Sequence, residues 1–266
     1  MVVGLLMVGG GMAAGVFGSL LGLGGGILIV PLLTLGFGRP LREAVAVSLV
    51  CVIATSSAAA GAYLRTRLAN LRLGMVLALF TALGALVGGT IAFLLPERLL
   101  TGLFALLLAY VALTMARGQK APEEAAPDEP RGSTIDRLST AEYAVHGLVP
   151  GSTASIGAGV VSALLGIGGG VINVPAMHLL MGVPLRVAAA TSNLMIGVTA
   201  VASAIIYLLR GAIDPYIAGP TVVGVFVGAT IGARIAPRVD VRVLRWLFVV
   251  VLLWTAFQMA RRAVGM

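Results

Sequence analysis

Charge is what this sequence has least of. Asp, Glu, Lys and Arg make up 11% of its 266 residues, where a soluble domain carries about 25%. Hydrophobic residues make up 59% and the mean hydropathy is +1.06, which excludes a water-soluble globule. No Asp, Glu, Lys or Arg falls near the middle of a long apolar run, so the intramembrane carboxylate relay of many proton pumps is missing. The single cysteine, Cys51, can form no intrachain disulfide and reads as a small packed residue. Two histidines with no Gly-x-Ser-Gly stretch and no orienting partner argue against an intramembrane serine protease. Carboxylates do not cluster within the apolar runs, which argues against a metal-dependent lipid transferase. The chain is therefore expected to be no enzyme and to need no cofactor or metal. The net charge of +8 does not imply nucleic acid, because the arginines sit at the ends of apolar runs, where they anchor and orient membrane helices.

What the chain does have is apolar length. A membrane helix needs about 20 apolar residues, and such runs recur at 2–37, 41–64, 71–95, 99–116, 144–181, 185–209, 216–236 and 241–260. They are continuous and rich in Ala, Gly and Leu rather than alternating, so a barrel is excluded and helices remain. The predicted fold class is an all-α integral membrane protein, multi-pass in the inner (plasma) membrane. The start, Met-Val-Val-Gly, has no basic flank and is expected to be a mature membrane segment rather than a signal peptide. Residues 119–143 hold Pro122, Pro127 and Pro130 and most of the acids of the chain. They form a predicted acidic, Pro-rich cytoplasmic linker between transmembrane repeats at 1–118 and 144–266.

The two repeats are copies. Leu20 to Gly26 (LLGLGGG) returns 144 residues later as Leu164 to Gly170 (LLGIGGG). The same offset, without a gap, pairs Pro31 with Pro175, Pro40-Leu41-Arg42 with Pro184-Leu185-Arg186, Ser48 with Ser192, Tyr63 with Tyr207, Gly84 and Gly88 with Gly228 and Gly232, and Phe104 with Phe248. The first run, 2–37, would be about 54 Å long as one helix, nearly twice the hydrocarbon thickness. It must break, and the three consecutive glycines followed by a proline show where. Each half is thus expected to hold a helix, a glycine elbow, a second shorter helix, and three further crossings. Paired halves with broken first helices are the sequence mark of a secondary transporter with its site at the repeat interface.

Arginine placement discriminates between two topologies. If the broken segment crosses once, the halves are parallel and the 18 Lys and Arg divide ten to eight between the faces. If it is a hairpin that re-emerges on its own side, the halves are inverted. One face then holds only Arg39, Arg42, Arg98, Arg210, Arg261 and Arg262, and the other holds the remaining twelve. The positive-inside rule favours the inverted arrangement, with both termini outside and the linker inside.

Without membrane-embedded charge, candidate site residues are backbone, hydroxyls and amides. Gly24, Gly25 and Gly26, with Gly168, Gly169 and Gly170, leave unpaired N–H groups and the positive end of a helix dipole at each elbow, which suits an anion; close helix packing is the alternative. Ser48, Thr191, Ser192 and Asn193 follow the elbows and could complete an anion's hydrogen bonds, unless they bond back to their own helix. Asn193 is favoured, since a buried amide needs a partner. Asn173 and His178 break the repeat, their counterparts being Ile29 and Thr34. Asn173 joins the substrate-binding set, and His178 is a candidate for proton coupling or a structural hydrogen bond. Arg42 and Arg186 are candidates for anion recruitment at the two mouths, or for interface anchoring.

The elbows resemble those of the sulfite exporter TauE/SafE family. The resemblance rests on Gly22-Leu23-Gly24-Gly25-Gly26 with Pro31, on Gly166-Ile167-Gly168-Gly169-Gly170 with Pro175, and on Ala188 to Ser192 (AAATS). It spans both halves. It implies a permease of about eight helices that moves sulfite, sulfoacetate, other sulfonates or related small organic anions, often outward. The first copy departs from the pattern, with Val47-Ser48 where Thr-Ser is expected. The expected partners are a small anion and the lipid bilayer, with no nucleic acid, and a homodimer is allowed. A passive anion channel is the runner-up, and an intramembrane enzyme stands behind it.

Overall fold

The computed structural model describes residues 2–20, 25–66, 69–116, 145–235 and 241–264. Side chains are described throughout these ranges except at 2, 59–66, 185–186, 233 and 241–245. Gly24, the Arg186 side chain and the 119–143 linker, all singled out above, lie outside them.

Ten α-helices occupy the described residues: α1 (Val2–Leu20), α2 (Gly26–Pro31), α3 (Leu41–Thr66), α4 (Leu71–Leu94), α5 (Glu97–Ala116), α6 (Leu148–Leu165), α7 (Gly170–Met181), α8 (Leu185–Leu209), α9 (Pro215–Ile235) and α10 (Val241–Val264). A π-turn, Leu32–Gly36, continues α2. All but α2 and α7 are long and apolar enough to cross a membrane, eight in number. The chain is an all-α multi-pass membrane protein, as its composition requires. The broken first helix of each half is also present, with α1 and α2 separated at the first glycine run and α6 and α7 at the second. Pro175 lies inside α7 and does not end it.

Packing crosses between the halves in matched pairs. The most extensive contact is α1 with α9, and its repeat equivalent, α6 with α4, comes next. Glycine permits both. A methyl on Gly15 would stand 2.3 Å from Val225 O, and one on Gly228 2.1 Å from Met12 O. In the equivalent pair, a methyl on Gly84 would stand 2.1 Å from Ile156 O and one on Gly159 2.0 Å from Thr81 O. Backbone meets backbone at these points, which is how membrane helices associate without a hydrophobic drive between them. The matching glycines at 84/228 and 88/232 are therefore interface residues.

The same contacts give direction. Gly224, Gly228 and Gly232 meet Val8, Met12 and Val16 in order, so α1 and α9 run parallel. The equivalent helices α5 and α10 run oppositely, because Thr101 and Arg98 share a cavity with Met259 and Arg262. His146 N–H bonds Met181 O at 3.1 Å, tying the start of α6 to the end of α7. The α6–α7 pair is thus a hairpin that enters and leaves at one end of the bundle.

At the other end the structure gathers the α2–α3, α4–α5 and α8–α9 loops with the end of α10. Arg39 sits 3.5 Å from Asp214. The Arg42 and Arg210 guanidinium groups lie over the Phe93 ring at 5.8 and 5.4 Å, and Arg262 donates to Thr34 O.

Replacing Gly84 with Ala puts a methyl into the Ile156 backbone and should cost about 1–3 kcal/mol. Thermal unfolding in detergent should then fall by about 2 °C or more. Gly157→Ala, on the same α6 but with nothing within 4 Å of the added carbon, should leave it unchanged or raise it. Equal effects from the two substitutions would contradict the packing described.

Candidate functional site

The second elbow has two helix ends, and they are treated differently. Gly166 closes α6 in the left-handed conformation (φ 73°), with its N–H on Ser162 O at 2.7 Å. Gly168 and Gly169 are also left-handed, at φ 84° and 80°, and α7 starts at Gly170. Three residues at positive φ within four positions is a backbone that only glycine supplies without strain.

On the α6 side the freed carbonyls are capped by side chains from other helices. The Tyr207 hydroxyl donates to Ala163 O at 2.9 Å. The Ser48 hydroxyl lies 2.7 Å from Gly166 O and 3.2 Å from Gly26 O, so that one proton serves a carbonyl from each elbow. The two elbows are therefore brought together, through a residue of α3.

On the α7 side no side chain caps the helix start. The first helical bonds run from Ile172 N–H and Asn173 N–H to Gly169 O, at 3.2 and 3.0 Å. The amides of Gly170 and Val171 come before them and have no carbonyl of their own helix to reach. Capped carbonyls facing uncapped amides leave the break with net positive potential, about half a unit charge at the start of α7.

Polar side chains without partners surround this start. Asn173 is fully buried, with neither Nδ2 nor Oδ1 hydrogen-bonded, and the hydroxyls of Ser162 and Ser192 are buried and unpartnered too. They converge on the two glycines. A carbon added at Gly169 would stand 3.5 Å from Asn173 Nδ2 and 3.5 Å from Ser162 Cβ, and one at Gly170 would stand 3.4 Å from Ser192 Oγ. Asn173 reaches back over the turn before it, as helical side chains do.

At the first elbow Gly25 has the backbone conformation of Gly169, in different surroundings. Gly25 is left-handed (φ 75°) and accepts from Leu28 N–H and Ile29 N–H. Apolar Ile29, fully buried, stands where the second elbow has Asn173, and Gly18 where it has Ser162. Ser48 is committed to carbonyls. The helix that follows has only six residues before its π-turn.

Other expected residues have structural partners. Thr191 Oγ1 accepts from Asn70 N–H at 3.0 Å, fastening α8 to the start of α4. The Asn193 amide donates to Ala189 O of its own helix at 3.3 Å, and the Asn193 backbone carbonyl takes the Ser56 hydroxyl at 2.6 Å. The unpartnered amide is thus Asn173, not the favoured Asn193. Arg42 turns inward: its Nε donates to Ala92 O at 3.2 Å and its guanidinium to Leu95 O, capping the end of α4. His178 lies in the last turn of α7, about 12 Å along the helix from Gly170. There Nδ1 donates to Val183 O at 2.9 Å.

Sequence reasoning passed over Ser162 and Tyr207 as functional or supporting residues. A signal existed for each. Ser162 breaks the repeat against Gly18 just as Asn173 does against Ile29, and Tyr207 is one of the matched positions.

Comparison with known proteins fits this architecture. Residues 7–259 match the family described as Sulfite exporter TauE/SafE. The chain is 27% identical over 258 residues to a protein of Bacillus subtilis named "Probable membrane transporter protein YunE", covering 94% of each chain. It is 31% identical over 236 residues to a "Probable membrane transporter protein" of Xylella fastidiosa, covering 88% of this chain and 85% of that one. No solved structure matches the chain.

Tyr207→Phe leaves the end of α6 with an uncapped buried carbonyl, which costs about 1–3 kcal/mol. The variant should unfold at a measurably lower temperature than the parent in detergent. An unchanged midpoint would mean that the Ala163 carbonyl is satisfied in another way.

Proposed function

We propose that this chain, which belongs to the sulfite exporter TauE/SafE family of membrane transporters, is a permease for small oxyanions such as sulfite, sulfoacetate and other sulfonates. The anion binds at the start of α7. The observation that carries this reading is the unequal capping of the second break. Its carbonyl end is closed by Ser48 and Tyr207, while its amide end is open and ringed by the unpartnered Ser162, Asn173 and Ser192. Amides, hydroxyls and a carboxamide can together replace the hydration of an anion without a cationic side chain. Gly168, Gly169 and Gly170 supply the backbone of the site. Gly25, Gly26 and Ser48 supply the opposing elbow against which it is held.

The two halves are read as inverted repeats. Supporting this are the α6–α7 hairpin tied at one end of the bundle, the antiparallel α5 and α10, and the gathering of Arg39, Arg42, Arg98, Arg210 and Arg262 at the other end. With the end holding fewer cations outside, the anion site lies on the segment that enters from the cytoplasm. Alternating access would follow from one half rocking against the other about the Ser48 contact. Outward movement of one negative charge down about 100 mV yields about 2.3 kcal/mol, so export in the plasma membrane needs no coupled ion.

Proton coupling through His178 is not required by this scheme. His178→Gln should shift the overall rate of flux at most modestly and leave its pH profile in place; a profile flattened by this one change would make the histidine part of the transport cycle.

The test is flux of sulfite into liposomes holding the purified chain. Asn173→Ile, which installs the residue of the first repeat, removes a hydrogen bond to a charged ligand and should cut flux at low substrate by about 10- to 150-fold. Ser192→Ala should give a smaller loss in the same direction, with both variants still unfolding cooperatively. Full flux in Asn173→Ile would refute the site. Flux that never saturates with substrate would identify a channel instead.

A further inference from the structure

The unpartnered atoms at the start of α7 are not all donors. Ser162 and Ser192 hydroxyls can each turn a proton toward a bound oxygen, and the Gly170 and Val171 amides point the same way. Asn173 differs, because a carboxamide presents an acceptor beside its donor. Both of its polar atoms are fully buried and without a partner, so whichever way the amide is turned, one oxygen remains to be satisfied. An anion made only of acceptor oxygens cannot do that. Left unpaired, or set against a negatively charged oxygen, that carbonyl opposes binding.

The charge available is also limited. No Asp, Glu, Lys, Arg or His occurs from Leu148 to Met177 or from Val187 to Leu209. Within these segments positive potential comes from the helix start, about half a unit charge, and the nearest cation on α3, Arg42, is turned to Ala92 O and Leu95 O at the end of α4. The helix start compensates part of a single negative charge and far less of two, and the desolvation cost of the second is not recovered.

Resting on the permease reading above, we infer that among the anions it allows the site selects a monoanion carrying its own hydrogen-bond donor: a singly protonated oxyanion such as hydrogen sulfite, or a sulfonate with a hydroxyl close to the acid group, and disfavours sulfoacetate, a dianion without a donor. The donor meets Asn173 Oδ1. The acid oxygens meet Nδ2, the serine hydroxyls and the α7 amides. The first repeat, with Ile29 and Gly18 in the matching places, has no such selectivity to offer, so each chain holds one substrate at a time.

The experiment compares 2-hydroxyethanesulfonate with ethanesulfonate, which match in charge and nearly in size and differ by the donor. Sulfate serves as the dianion without a donor, and sulfite is followed as pH rises and its protonated form is lost. All are measured as flux into liposomes containing the full chain. The hydroxylated sulfonate should half-saturate at about tenfold lower concentration, sulfate should not be carried, and sulfite flux should fall with rising pH. In Asn173→Ile the preference between the two sulfonates should shrink to within about twofold, and in Ser162→Gly, which leaves the amide in place, it should persist. Equal half-saturation by the two sulfonates in the parent protein overturns the inference and leaves the permease reading standing, as does carriage of sulfate as readily as of the hydroxylated probe. Absence of flux for every anion, sulfite included, in folded protein overturns both.

Discussion

The unequal capping of one broken helix organises this molecule. Breaking a helix inside a membrane releases carbonyls on one side and amides on the other, and lipid can satisfy neither. At the second break Tyr207 and Ser48, from α8 and α3, close the carbonyls. The amides stay open among Ser162, Asn173 and Ser192. Had both ends been capped, the break would be a packing detail. Had neither been, the opposed dipoles of α6 and α7 would largely cancel. One end closed and one open gives a fixed positive pole in a dry place, made without a charged side chain.

The rest of the fold holds that break in position. The hairpin of α6 and α7 is fastened at its mouth by His146 N–H to Met181 O, and along its length by α4, whose Gly84 and Gly88 let it approach to backbone contact. The same arrangement recurs for α1 against α9. Each broken helix is therefore carried on a helix of the opposite half, so that moving one half relative to the other moves an elbow with it. Ser48, in reach of Gly26 O and Gly166 O together, is where the two elbows meet. Duplication made the scaffold symmetric, and a few substitutions made the site one-sided.

Much of this could be read from the residues alone. Glycine triplets repeated at a fixed offset located both breaks, because no other residue can serve there and because chance seldom duplicates such a pattern in register. Asn173 was visible as a departure from the repeat. Ser162 carried the same signal against Gly18, yet it is hidden among Ser152, Thr153 and Ser155 of the same helix, any of which pattern alone could favour. Asn193 bonds to the carbonyl four positions back, as a polar residue in a helix can, at Ala189, and no pattern in the sequence shows that choice. Ser48 and Ser192 occupy equivalent positions, but Ser48 bonds Gly166 O of the opposite elbow as well as Gly26 O of its own, while the Ser192 hydroxyl has no partner. Arg42 was likewise unreadable: what it caps, Ala92 O and Leu95 O, lies about 50 residues away and is brought near only by folding.

The central claim, a bound oxyanion at the open end of α7, is tested most directly by locating the anion. Crystals of the full-length protein grown with a selenium analogue of the oxyanion would show the selenium in an anomalous difference map. The account predicts a single peak whose oxygens lie about 2.7–3.2 Å from the Gly170 and Val171 amides and from Asn173. A peak at the first elbow, or only beside Arg98 and Arg262 at the opposite end of the bundle, would contradict it.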